Sequence, residues 1–250
     1  MSKIIKNPNI PKNKVTTAIA GDMPVDLDNA FKSLGIKIFN VKRNAALQAP
    51  VASHADMLVH HLGDSNILIT KNNDEVKETL KDLGFNPAVI QKDILKKYPH
   101  DILLNSARIG NFNVCNLKNT AKEIVDYCKN NKIEVIDVAQ GYAKCSTCIV
   151  NEKAIITEDF KIKARCEQKG IDVLLIRKGY VNLSGYNYGF IGGCSALISE
   201  DILAFFGCIE EHPDYKIISS FLKKYNITPL SLTKNKLQDI GGIIPLLEEK

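Results

Sequence analysis

Apolar and polar positions recur along the chain in one repeated order. Four stretches begin at Asp56 (DMLVHHLGDSNILIT), Asp101 (DILLNSARIGNFNVCN), Thr147 (TCIVNEKAIIT) and Ala196 (ALISEDILAFFG). Each reads as an apolar strand, a polar turn and a second apolar strand. The turns carry residues suited to tight reversals: Gly63-Asp64-Ser65, Gly110-Asn111, Asn151-Glu152-Lys153 and Ser199-Glu200-Asp201. A helical pattern follows each hairpin, over 73–84, 118–131, 158–170 and 213–226, with apolar residues at three- and four-residue steps such as Ile217, Ile218, Phe221 and Leu222. Acidic residues sit early in these segments and basic ones late, as the helix dipole favours. A short apolar run (PAVIQ, EVIDV, DVLLI, TPLSL) closes each unit.

The order strand–strand–helix–strand therefore appears four times, at steps of about 45 to 49 residues. The two ends of the chain supply the parts of a fifth. GGIIPLL near the C-terminus predicts an opening strand. Thr16–Gly21, Pro24–Gly35 and Ile36–Val41 predict a strand, a helix and a closing strand. The expected fold is α/β: a five-fold pseudosymmetric α/β propeller of ββαβ units, closed by pairing the N- and C-terminal segments. Residues 15–250 form the ring, and residues 1–14 read as a polar tail. Such closure leaves no unprotected end unit.

Composition narrows the picture little. The net charge of +5 comes from lysines scattered among acidic residues, with no basic face or helix, so no nucleic-acid partner is expected. No apolar run is long enough to cross a membrane, and the N-terminus lacks the apolar core of a signal peptide. A cytoplasmic protein with reduced thiols is the expectation for its seven cysteines. Cys145-x-x-Cys148 has metal-pair spacing, but inside a strand the two thiols point to opposite faces, so neither a metal nor another cofactor is expected.

The five-unit order, with VASHADMLVHH and QDIGGIIP, resembles the pentein fold of guanidino-group-modifying enzymes. That family includes arginine and agmatine deiminases, dimethylarginine dimethylaminohydrolases, amidinotransferases and a non-catalytic ribosome anti-association factor. The resemblance implies a hydrolase or transferase acting on a small cationic guanidino or amidino compound, with its site at the central channel. It gives Asp56 the role of the acidic residue that holds the guanidinium. Two departures stand out. The position of the family's C-terminal nucleophilic cysteine is Pro245, and its His-x-Asp unit falls on Cys145-Ser146-Thr147, whereas His54-Ala55-Asp56 has that form in another unit. These departures support an alternative, a non-catalytic ring that binds a small cation or a macromolecular partner.

The residues themselves suggest where the chemistry would lie. His54 and Asp56, two apart on an expected strand, would share one face, as an imidazole and its orienting carboxylate do. Cys145 and Cys194 each precede serine at the opening of an expected inner strand, and a thiolate suits attack on a guanidinium carbon. Cys194, beside Gly192 and Gly193, is the slightly favoured nucleophile, although a cysteine that only packs is the ordinary alternative. Asp101 and Asp239 are candidate partners for the cation, and Arg108 for a substrate carboxylate. The Gly- and Tyr-rich segment 178–193, with Tyr186 and Asn187, reads as a loop over the channel mouth.

Overall fold

The computed structural model describes residues 1–250. The chain opens with β1 (Ser2–Ile4), β2 (Val15–Ala20), α1 (Val25–Ser33) and β3 (Lys37–Asn40). A single helical turn, α2 (Ala55–Leu58), leads into β4 (Val59–Gly63), β5 (Asn66–Ile69), α3 (Asp74–Asp82) and β6 (Asn86–Val89). The next unit is β7 (Ala107–Ile109), β8 (Phe112–Cys115), α4 (Lys122–Asn130) and β9 (Glu134–Asp137). The third is β10 (Thr147–Asn151), β11 (Ala154–Thr157), α5 (Phe160–Glu167) and β12 (Asp172–Leu175). The fourth is β13 (Ser195–Leu197), β14 (Ile202–Phe205), α6 (Tyr215–Lys224) and β15 (Thr228–Ser231), and β16 (Ile243–Glu249) ends the chain.

These strands form five small sheets built on one plan. The first two strands pair antiparallel across the hairpin, as Val59 does with Ile69. The third pairs parallel with the second, as Asn66 does with Asn86, and a parallel neighbour requires the crossover helix between them. Each helix lays an apolar stripe on its sheet: Val76 and Leu80 from α3, Ile218 and Leu222 from α6. The first strands β7, β10, β13, β16 and β4 touch in succession and line the middle of the ring, and the third strands form its partly exposed rim. In the fifth sheet β16 pairs antiparallel with β2, from Ile243 with Ala20 to Glu248 with Val15, so the two ends of the chain close the ring.

Two local expectations are corrected. The first 14 residues are not a tail. β1 adds to the free edge of β16, pairing Ser2 with Glu249, and Ile5 and Ile10 are buried. The backbone N–H groups of Lys12 and Asn13 both donate to the Glu248 carboxylate, at 2.6 and 2.8 Å. His54 and Asp56 are not on a strand either. They lie at the start of and within the turn α2, which the Met57 N–H holds by donating to the His54 carbonyl at 3.1 Å. No helix is long and apolar enough to cross a membrane.

Candidate active site

The segments that enter the inner strands converge at one end of the ring. α2 brings His54 and Asp56, and the Asp56 N–H reaches the Gly241 carbonyl of the last unit at 3.4 Å. The turn ahead of β10 brings Cys145, held by the Ser146 N–H donating to the Tyr142 carbonyl at 2.9 Å. Between them stands Asn105, two residues ahead of β7. Its Oδ1 accepts from the backbone N–H groups of Lys144 and Cys145, at 2.8 and 3.3 Å, and its Nδ2 faces the Cys145 Sγ at 3.2 Å. Asn105 thus ties the cysteine turn in place while offering the sulfur a donor. The Cys145 thiol in turn donates to Asp56 Oδ2 at 2.8 Å.

Asp239 completes the group. Its carboxylate accepts from the N–H groups of Phe190 and Gly241, both at 2.9 Å, and lies 3.8 Å from His54 Nδ1. Two glycines make room for this approach. A Cβ on Gly193 would lie 2.0 Å from Asp239 Oδ1, and one on Gly241, whose φ is +76°, would lie 2.4 Å from the His54 Cβ. One side-chain atom from each of His54, Asp56 and Cys145 lies within 4.8 Å of the other two, so the trio could also take a metal ion with three protein ligands.

Burial sets the protonation states. It lifts the Asp56 carboxyl from its ordinary 3.8 to about 6, against the opposing pull of His54 and Lys144. It also drives the Cys145 thiol well above its ordinary value, and the Asp56 and Asp239 carboxylates push the same way. Glu158, which accepts from the Ile191 N–H at 3.1 Å, is raised by burial to about 8. Asp56 Oδ1 and His54 Nδ1 are buried without a hydrogen-bond partner.

Three of the site residues open on a cavity of about 260 Å³, and Asp56 lies behind Cys145. His54, Asp239 and Cys145 supply its polar floor. Val51, Met57, Leu183, Tyr142, Tyr186, Tyr188 and Phe190 form the walls, with Asn187 among them. Tyr142 and Phe190 are stacked, with ring centroids 6.3 Å apart. Aromatic faces above carboxylates and an imidazole favour a flat organic cation.

The structure brings together His54, Asp56, Cys145, Asp239, Tyr186 and Asn187, and sets three other candidates elsewhere. Cys194 packs in the apolar core, its thiol turned back to the Ile191 carbonyl at 3.4 Å, and it does not line the cavity. Arg108 lies at the hairpin-turn end of the ring, its guanidinium donating to the carbonyls of Leu62, Gly110 and Phe112. Asp101 stands behind the wall and accepts from the Tyr142 hydroxyl at 2.7 Å. Asn105 and Tyr142 were missed by the sequence reading. The signal for Asn105 was the register: Asn105, Cys145 and Gly241 each lie two residues ahead of an inner strand, a place that Asp101 does not occupy.

The model of a family of unknown function (DUF6873) matches residues 18–244. No curated protein matches the sequence. Among solved structures, the inosamine-phosphate amidinotransferase of Streptomyces griseus is similar at a TM-score of 0.57 and 10% identity, over 96% of this chain and 93% of that one. The agmatine deiminase of C. jejuni with substrate bound is similar at 0.56 and 10%, over 98% and 96%. The DDAH of Pseudomonas aeruginosa, complexed with citrulline, is similar at 0.55 and 9%, over 88% and 93%. The shared architecture is the pentein fold of guanidino-modifying enzymes.

Proposed function

The chain belongs to the DUF6873 family, and we propose that it is a hydrolase of a small guanidino or amidino cation, with Cys145 as nucleophile. One observation carries this reading: a thiol, an imidazole and a carboxylate meet within 4.8 Å at the base of an aromatic-walled cavity. Asp239 in the cavity wall holds the cation, whose charge offsets the two carboxylates, Asp239 and Asp56 behind Cys145, that keep the thiol protonated. The thiol proton passes to Asp56, raised to about 6 and so able to accept and return it near neutral pH. The sulfur then forms a bond to the central carbon. His54 gives a proton to the departing nitrogen as the C–N bond breaks. Water, losing a proton to His54, adds to the same carbon, the C–S bond breaks, and Asp56 returns the proton to sulfur.

A second reading is a ring that binds the cation without turnover. Two observations favour it: Pro245 stands where the family's nucleophile is found, and the unliganded thiol is held well above its ordinary pKa. Release of ammonia or amine from guanidines and amidines separates the two. Turnover by the wild-type chain that is lost in Cys145→Ser supports the enzyme. Binding without release by either protein supports the ring.

A further inference from the structure

We infer that the ligand of this cavity carries no carboxylate: it is a guanidine or amidine whose far end is neutral or cationic. This inference rests on the proposed cation site and names which members of that class it admits.

The cavity wall contains no lysine or arginine. Lys144, Arg43 and Arg108 are each already engaged. Lys144 is buried behind the floor, with its Nζ directed to the Gly192 carbonyl at 3.4 Å. Arg43, in an adjoining cleft, is bound to Asp22 at 2.9 Å and to the Ala49 carbonyl at 2.5 Å. Arg108 is at the opposite end of the ring, among three carbonyls. Acidic groups surround the cavity instead: Asp239 in its wall, Asp56 below Cys145, and Asp101 behind Tyr142.

A substrate carboxylate would therefore lose water, find no cationic partner, and face aromatic rings whose faces are themselves negative. Discrimination against it comes from this unpaired charge, without a steric element. The wall residues Val51, Leu183, Tyr186 and Tyr188 suit a short alkyl or aryl group. Amino-acid guanidines are thus excluded, and their carboxylate-free counterparts fit.

Three ligands of similar length test this on the wild-type chain: n-butylguanidine, agmatine and gamma-guanidinobutyrate, with a neutral, a cationic and an anionic end. Dissociation constants from calorimetric titration are expected to place the carboxylate weakest, behind both the butyl compound and agmatine by roughly tenfold or more. Tyr186→Arg, at a side chain 45% exposed and so tolerant of exchange, is expected to recover binding of guanidinobutyrate. Guanidinobutyrate binding as tightly as butylguanidine overturns the inference while leaving the cation site standing. So does a guanidinobutyrate affinity that depends on Arg43, seen as its loss in Arg43→Ala. Failure of all three to bind removes the cation site itself, and the inference with it.

Discussion

Cys145 and Cys194 stand in successive units, each followed by serine near the entry to an inner strand, two residues ahead of β10 and one ahead of β13. Both are buried. Their surroundings differ completely. Cys145 meets a carboxylate from the first unit and an amide from the second, at 2.8 and 3.2 Å, and opens on the cavity. Cys194 meets only the carbonyl of Ile191 in its own turn and packs among apolar side chains. The chemistry thus belongs to the assembly of units. One repeat supplies a thiol, and its neighbours decide whether that thiol is a reactive group or a core residue.

The sharpest way to break this contrast is to remove each thiol in turn. Cys145→Ala should lower turnover of a carboxylate-free amidine by roughly 10⁴-fold or more, the scale of losing a nucleophile. Steady-state ammonia release would measure it, and a small loss would move the chemistry away from Cys145.

The carboxylate that marks the Cys145 side should also mark the pH dependence of stability. Asp56 is raised from 3.8 to about 6 in the folded protein, so the folded state holds this proton more tightly than the unfolded chain does. Its stabilising contribution is full below the unfolded value and is lost as pH rises through about 6, amounting to about 3 kcal/mol. Urea unfolding of the wild type against Asp56→Asn should show this loss in the wild type alone. Cation affinity should rise over the same window, as the carboxylate ionises.

Gly193→Ala sharpens the contrast from the other side, since it lies beside Cys194 yet acts on the cavity. The new Cβ, 2.0 Å from Asp239 Oδ1, must displace that carboxylate. It is expected to weaken cation binding and to cost about 1–3 kcal/mol of stability, read by titration and denaturation. Cys194→Ala is the smallest change. It should leave turnover nearly intact and cost about 1 kcal/mol, the value of a small buried group, measured in the same unfolding assay.

The repeat itself was legible in the sequence. Hairpin alternation, helical stripes and regular spacing identify the five units, and GGIIPLL with Thr16–Gly21 foretells the pairing of β16 with β2 that closes the ring. What escaped notice were features too short for periodicity. Ser2–Ile4 is a strand of three residues, and Ile5 and Ile10 are isolated apolar residues among polar ones, so their burial leaves no repeating signal. The four-residue turn α2 reads as the start of an apolar strand. Asn105 and Tyr142 act through partners far away in sequence, at Cys145 and Asp101, and pattern alone does not say which entry turns face each other across the channel. For the same reason pattern alone does not separate Cys145 from Cys194, whose difference lies in the partners that the closed ring brings to each.

Cys145, beneath a cation site, is on this reading the reactive thiol of the chain. Labelling with chloroacetamidine and its neutral isostere chloroacetamide, followed by peptide mass mapping, tests it most directly. The cationic reagent should alkylate Cys145 at least about tenfold faster than the neutral one, because the carboxylates concentrate it at the thiol, and Cys194 should stay unmodified. Equal rates for the two reagents, or alkylation at Cys194 in place of Cys145, would contradict the account.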